Sequence, residues 1–159
     1  MNSDVKLREV IESDLPIFFA QQLDPEAVQA AAIPPREHDV FMAHWEKILH
    51  DEAIIINTIL FEGQVAGNVL SFPHKGKREV GYWLGREFWG KGIASRALSA
   101  FLEQLEERPL YASVARPNIA SLRVLQKCGF TIIGEEKGPF GREDNVIEQY
   151  ILELKTRVF

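Results

Sequence analysis

One junction constrains the fold more than any other stretch of the chain. Residues 80–84, Val-Gly-Tyr-Trp-Leu, form a short apolar and aromatic run bounded by polar residues and glycine, the pattern of a strand. Residues 92–105 carry Ile93, Ala94, Ala97, Leu98, Phe101 and Leu105 at helical spacing. Between the two runs Gly85-Arg86-Glu87-Phe88-Trp89-Gly90-Lys91-Gly92. A further strand pattern follows at residues 110–115. Strand, helix and strand in this order and at this length specify a parallel crossover, with the glycine loop at the first turn.

The rest of the chain has to be fitted around that unit. Val5, Leu7 and Glu9 alternate as a strand. Ser13-Asp14 offers a helix cap with Pro16 in the first turn, and Leu15, Phe18, Phe19 and Leu23 share a face until Asp24-Pro25. Residues 25–35 are alanine-rich and close on two prolines, a loose turn or short helix. Phe41, Trp45, Ile48 and Leu49 mark another helix. Residues 53–61 and 65–72 read as a hairpin around Glu62-Gly63, with 73–77 as a loop. A helix over 118–127 is capped by Asn118 and stopped at Gly129. Residues 131–133 and 146–154 close the chain as strands, separated by a polar, glycine-rich loop over 138–144. Hairpin-linked strands are antiparallel, so the expected fold is α/β (α+β). It is a three-layer domain with a mixed, mostly antiparallel sheet of about seven strands and helices on both faces.

Composition removes several classes of function. The chain has 159 residues, the size of one domain, and we read 1–159 as a single unit. With 18 basic and 23 acidic residues the net charge is −5, which opposes the basic stripe a nucleic-acid binder needs. The one dense basic run, residues 75–78, falls in a turn. The single cysteine, Cys128, cannot form an intramolecular disulfide and fits core packing. Met1-Asn2-Ser3-Asp4 shows no leader pattern, and an apolar run such as 53–56, which no other run exceeds, is far below the roughly 20 residues of a membrane helix. A cytoplasmic protein with no membrane partner is expected, as a monomer or a homodimer, with strand 146–154 as the edge open to a second copy.

Gly90 and Gly92 allow a tight turn and a close backbone approach. The following N–H groups lie at the positive end of a helix, a natural place for a pyrophosphate. The loop is not a Walker A sequence, and it lacks the third glycine of a dinucleotide fingerprint. Taken alone, two glycines are equally well explained by an ordinary strand-to-helix turn.

A second motif adds weight. Asn118, Ser121, Lys127, Gly129 and Phe130 fall in an N-x-x-S…K-x-G-F pattern on the next helix. With Glu87-Phe88-Trp89-Gly90-Lys91-Gly92 in place of Q/R-x-x-G-x-G/A, the chain resembles the GNAT (Gcn5-related N-acetyltransferase) superfamily over residues 5–155. Its F-W-G-K-G-I-A run is most similar to the branch of ribosomal-protein N-terminal acetyltransferases. Glu87 departs from the motif and is expected to point outward, toward Arg86 or Lys91. The resemblance implies acetyl-CoA as co-substrate, an amine acceptor and no metal. It implies that the backbone of Tyr82, Trp83 and Leu84 pairs with the pantetheine arm. The N–H groups of Phe88, Trp89, Gly90, Lys91, Gly92, Ile93 and Ala94 hold the pyrophosphate, Asn118 bonds the arm, and Ser121 lies near the thioester. Arg123 and Lys127 share a helix face that is either solvated or turned to the adenosine phosphates.

Transfer to an amine needs a neutral nucleophile. A lysine-type amine, with pKa ~10.4, is neutral in only about one molecule in 2,500 at pH 7. That withholds roughly 4.6 kcal/mol, against about 1 kcal/mol for an α-amine. Glu79, at the start of the strand before the loop, is the candidate base; His38, His44, His74 and Glu148 are alternatives, and an exposed strand-end carboxylate is the ordinary role for Glu79. No tyrosine follows Phe130 until Tyr150, so Ser121 is the candidate hydroxyl for the leaving thiolate. Phe41, Trp45, Phe72 and Trp83 either line an acceptor cleft or pack the core, and the 138–144 loop either covers the acceptor or is an ordinary loop. The missing tyrosine keeps a silent acyl-CoA-binding module open beside an N-acetyltransferase or an antibiotic- or polyamine-modifying transferase.

Overall fold

A computed structural model describes residues 4–156; the first three residues, part of the leader reading and of the 1–159 domain reading, lie outside the described residues, as do the last three. The elements run β1 (Val5–Glu9), α1 (Leu15–Gln21), α2 (Pro25–Ala31), α3 (His38–Leu49), β2 (Ile55–Phe61), β3 (Gln64–His74), β4 (Lys77–Leu84), α4 (Ile93–Gln104), β5 (Leu110–Ala115), α5 (Ile119–Lys127), β6 (Thr131–Phe140) and β7 (Arg142–Leu154). Seven strands form one sheet in the order β1-β2-β3-β4-β5-β7-β6. Every pairing is antiparallel except β4 with β5, the expected crossover.

Alternation along the strands divides the apolar residues between two cores. On one face Ile59, Phe61, Val69, Val80 and Leu84 pack beneath Ala97, Leu98 and Phe101 of α4. On the other, Ile56 and Val65 pack against Phe18 of α1 and Phe41 and Trp45 of α3. Helices therefore cover both faces, as the strand period of two requires of a sheet apolar on both sides.

The structure corrects several local expectations. Residues 25–31 are a full helix, capped by the Asp24 side chain accepting from the Ala27 N–H. The 73–77 loop is mostly strand: Pro73 pairs with Arg78, and only Lys75-Gly76, both at positive φ, make the turn. The polar stretch 138–144 is likewise a hairpin turning at Gly141. Its residues lack clean apolar alternation because β6 is the outer strand, where Pro139 is tolerated. Strand β7 is then interior, so the open edge belongs to β6 and not to 146–154.

Asp14 does not cap α1. Its carboxylate is 1% exposed and accepts both guanidinium nitrogens of Arg8 (2.7 and 2.9 Å), the Thr58 hydroxyl (2.6 Å) and the Ile11 N–H (3.0 Å). These contacts join β1, β2 and the entry to α1. Burial alone would push this carboxyl up, but the hydrogen bonds and the charge of Arg8 outweigh it and hold Asp14 below its ordinary value. A depressed carboxyl stabilises the fold above its unfolded pKa of about 4 and loses that contribution as pH falls through the folded value. Asp14→Ala is expected to cost about 2–4 kcal/mol in urea unfolding at pH 7, and the difference from wild type should shrink below pH 4. An unchanged midpoint at pH 7 would exclude this role.

Candidate functional site

Strand β4 is paired with β3 along its whole length, from His74↔Lys77 to Gly67↔Leu84. Gly67 allows this at the far end, because a Cβ there would collide with the Trp83 carbonyl oxygen. On its other side, β4 pairs with β5 only at Glu79↔Tyr111. Beyond that point the two parallel strands diverge. The β4 backbone from Val80 to Leu84 keeps one edge without a strand partner, in the interior of a sheet.

The diverging strand leads into the loop. Leu84 is buried, and its carbonyl accepts the Trp89 indole N–H at 3.0 Å. A short 3-10 turn, Arg86–Phe88, buries Phe88 against Phe61, with centroids 6.4 Å apart. Gly90 and Gly92 then adopt φ of 75° and 74°, and a Cβ at either would meet nothing within 4 Å. The two glycines are therefore not dictated by crowding. They set a left-handed backbone that leaves open space in front of the α4 N-terminus. Ile93 anchors the helix in the core, with Ala94 half-buried behind it. Lys91 is exposed, its ammonium 5.9 Å from the Phe61 ring centroid. Glu87 points outward as expected, but Arg86 pairs with Asp24 (3.0 Å) and Glu26 (3.1 Å) instead, fastening the loop to α2.

One contributor escaped the sequence reading. Arg96 folds back along the loop, bonding the carbonyls of Gly92 (3.3 Å) and Lys91 (3.2 Å). Its position four residues after Gly92, on the first turn of α4, was the available signal.

Across the gap, Asn118 caps α5 by accepting the Ser121 N–H on Oδ1 at 3.2 Å. That uses one lone pair and leaves its amide protons to serve a ligand. Ser121 is half-buried in the first turn of α5, and the Tyr82 hydroxyl donates to its Oγ at 3.1 Å. Tyr82, with Val80 and Leu84, faces the α4 core, whereas Glu79 and Trp83 face the other way. Trp83 donates from its indole nitrogen to the Gln21 carbonyl of α1 at 3.2 Å, and Phe41 and Trp45 are core residues. Neither Phe72 nor these three lines the cleft bounded by Ala115, Arg116, Ile147 and Tyr150.

Glu79 occupies the apex where β4 and β5 part. It is 16% exposed, accepts a long hydrogen bond from Ser113 Oγ (3.4 Å), and lies 4.0 Å from His74 Nε2. Burial pushes its carboxyl up, and His74 and Ser113 only partly offset that. Its side chain is therefore not an ordinary exposed strand end. Of the alternatives, His44 is pushed down to about 4 by burial and by Arg36 and Lys47, so it is uncharged at neutral pH. His38 stands beside Asp39, away from the gap, and Glu148 is ion-paired to Arg116 at 3.2 Å.

A cleft of about 710 Å³ opens at the end of β5 and along the middle of β7, beside the end of α2, lined by Ala32, Ala115, Arg116, Pro117, Ile147, Glu148 and Tyr150. The β6–β7 hairpin forms its rim, docked by Asn145 on the Ala32 carbonyl at 2.7 Å. Arg116 spans it, ion-paired to Glu135 and Glu148 and over the Tyr150 ring. Among the described residues no group of three or more His, Cys, Asp or Glu is placed to hold a metal, and no helix is long and apolar enough to cross a membrane. The open β4 edge and the glycine loop fit an extended arm ending in a diphosphate.

Comparison with known proteins identifies the family of the chain. Residues 4–131 match the family model of the acetyltransferase (GNAT) domain. The spermidine N(1)-acetyltransferase of Escherichia coli K12 is 28% identical over 171 residues, covering 96% of this chain and 91% of that protein. The spermidine N-acetyltransferase of Vibrio cholerae, solved with CoA and spermine, superposes with a TM-score of 0.81 at 20% identity, covering 97% of this chain and 96% of the other. The ribosomal L7/L12 alpha-N-protein acetyltransferase RimL, solved with CoA, gives 0.78 at 19% identity, covering 95% and 93%. At these identities the two structures establish the shared fold.

The raised carboxyl at the apex has a measurable consequence. A folded-state value above the unfolded one makes ionisation of Glu79 unfavourable to folding at neutral pH. Glu79→Gln is expected to raise the urea midpoint at pH 7, and the gain should vanish as pH falls below the unfolded carboxylate range near 4. A gain independent of pH would mean that charge is not its source.

Proposed function

The chain belongs to the GNAT acetyltransferase family, and on that premise we propose that it transfers the acetyl group of acetyl-CoA to a primary amine. It is an acyltransferase; the co-substrate, the acceptor and the residue roles are our reading. The observation that carries this reading is the unpaired β4 edge running from Glu79 to a glycine loop that opens a helix. We take residues 1–159 as one transferase domain acting in a reducing, cytoplasmic setting.

Acetyl-CoA supplies an acetyl group already activated as a thioester. The backbone of Tyr82, Trp83 and Leu84 pairs with the pantetheine arm as an added strand would. The N–H groups of residues 88–94 receive the pyrophosphate, where the α4 dipole favours negative charge. Asn118 gives the arm an amide hydrogen bond. Glu79 accepts the proton of the incoming ammonium, directly or through water, and burial raises its affinity for that proton toward the working pH. Ser121 offers its hydroxyl to the departing sulfur.

The acceptor is a primary amine, either a protein N-terminus or a small amine. Named relatives act at both extremes, on spermidine and on the N-terminus of a ribosomal protein. An α-amine needs the base least, because its pKa lies near 8.

A thiol-release assay with acetyl-CoA and a panel of peptides, lysine-type amines and polyamines tests the reading. Turnover on at least one class is expected, whereas CoA binding with no turnover on any would favour a silent module. On the best acceptor, Glu79→Gln should lower kcat by about a hundredfold and remove the limb on which the rate falls with falling pH. Gly92→Val forces a branched residue to positive φ, at a cost of roughly 1–2 kcal/mol. The folded variant should lose at least tenfold in CoA affinity by calorimetry, and retained affinity would count against the loop.

A further inference from the structure

We propose that Tyr82 is a positioning residue for the leaving group, fixing the Ser121 hydroxyl so that its proton points to the thioester sulfur. The proposal rests on the reading that the gap between β4 and β5 holds acetyl-CoA.

The geometry is specific. Tyr82 stands on β4 and Ser121 on α5, 39 residues apart, and their oxygens are 3.1 Å apart. A serine hydroxyl has one proton and two lone pairs. With the Tyr82 phenol as donor, a lone pair of Ser121 is occupied and the single Ser121 proton is left for another acceptor. The Tyr82 phenol is held above its ordinary range, chiefly by burial and despite the bond to Ser121. It therefore stays protonated, and able to donate, throughout the neutral range. Ser121 is fixed from a second side as well, since its N–H is bound by the Asn118 cap. The Tyr82 bond closes one of the three torsional wells of the Ser121 hydroxyl to its proton before substrate arrives, which biases the donor toward developing negative charge.

The step balances without a new reactant. The amine nitrogen, made neutral when its ammonium proton passes to Glu79, forms its bond to the carbonyl carbon, and the second N–H proton, shed as the amide forms, goes to water. The carbon–sulfur bond breaks with its electron pair on sulfur. The Ser121 hydroxyl donates a hydrogen bond to that thiolate, with Tyr82 strengthening the donor by bonding to its oxygen. No proton has to leave Ser121, because the sulfur is protonated from solvent on release. This arrangement gives the chain a leaving-group device without a tyrosine closely following Phe130.

Tyr82→Phe keeps the ring and its packing and removes only the hydroxyl, so folding is checked by an unchanged urea midpoint. On the best acceptor, kcat should fall by about tenfold while KM for acetyl-CoA stays within about twofold. In Ser121→Ala the same substitution should have no further effect. A second measurement needs no acceptor: the ultraviolet absorbance of the CoA thiolate, titrated in the protein complex. The bound thiol should titrate higher by about half a unit to one unit in Tyr82→Phe and in Ser121→Ala, and no higher in the double variant. A protein that fails to bind CoA defeats the site reading and this proposal with it. Bound CoA whose thiol titrates alike in wild type and both variants, or a Tyr82→Phe enzyme with wild-type kcat, defeats this proposal alone.

Discussion

A strand inside a sheet has hydrogen-bonding groups on both edges, and beyond Glu79 strand β4 satisfies only one of them with another strand. Unpaired backbone within a sheet is costly unless water or a ligand completes it. Here it is held in place rather than closed. The full-length pairing to β3 fixes one side, and Gly67 lets the two backbones approach closely at the end where the opening is greatest. Trp83 then ties the same end to α1 through Gln21, while Val80 and Leu84 anchor it in the α4 core. β5 is drawn the other way by its ladder to β7. The gap thus follows from each strand being better satisfied by its outer neighbour than by the other.

Everything attached to the gap inherits that rigidity. The loop after Leu84 is fastened at three places: by Trp89 to the Leu84 carbonyl, by Arg86 to Asp24 and Glu26, and by Arg96 to the Gly92 and Lys91 carbonyls. Exposed ion pairs contribute little individually to stability, so the value of the Arg86 pairs lies in orientation. The buried Arg8–Asp14–Thr58 cluster acts farther off, joining the first two strands to the start of α1, whose Gln21 receives Trp83.

The sequence carried the crossover unit, the number of strands and the two-sided burial, because these depend on local period and on glycine. The 90–92 loop and the Asn118 cap were equally legible, being contained within a few residues. Long-range partners were not: Arg86 pairs with residues 62 and 60 positions away, and nothing in either segment announces it. Asp14 looked like a cap because Asp before a proline-bearing helix start usually is one. Its true partner, Arg8, lies on a strand whose path only the tertiary fold fixes. The β6–β7 hairpin was obscured for a different reason. An outer strand with polar residues on both sides has no apolar alternation to read, and its glycines and Pro139 imitate a loop.

Strand parity finally organises the proposed chemistry. Residues 79 and 82 differ by three, so on a strand they face opposite sides of the sheet. Glu79 looks toward Ser113 and His74 on one side, whereas Tyr82 reaches Ser121 under α4 and α5 on the other. An acyl group lying in the gap between them would present its carbonyl carbon to an amine held beside the base on one face and its sulfur to the hydroxyl pair on the other. Proton removal and leaving-group stabilisation are then separated by the thickness of the sheet. An even spacing between the two residues would put them on the same face, so the proposed division of roles depends on the odd interval from 79 to 82.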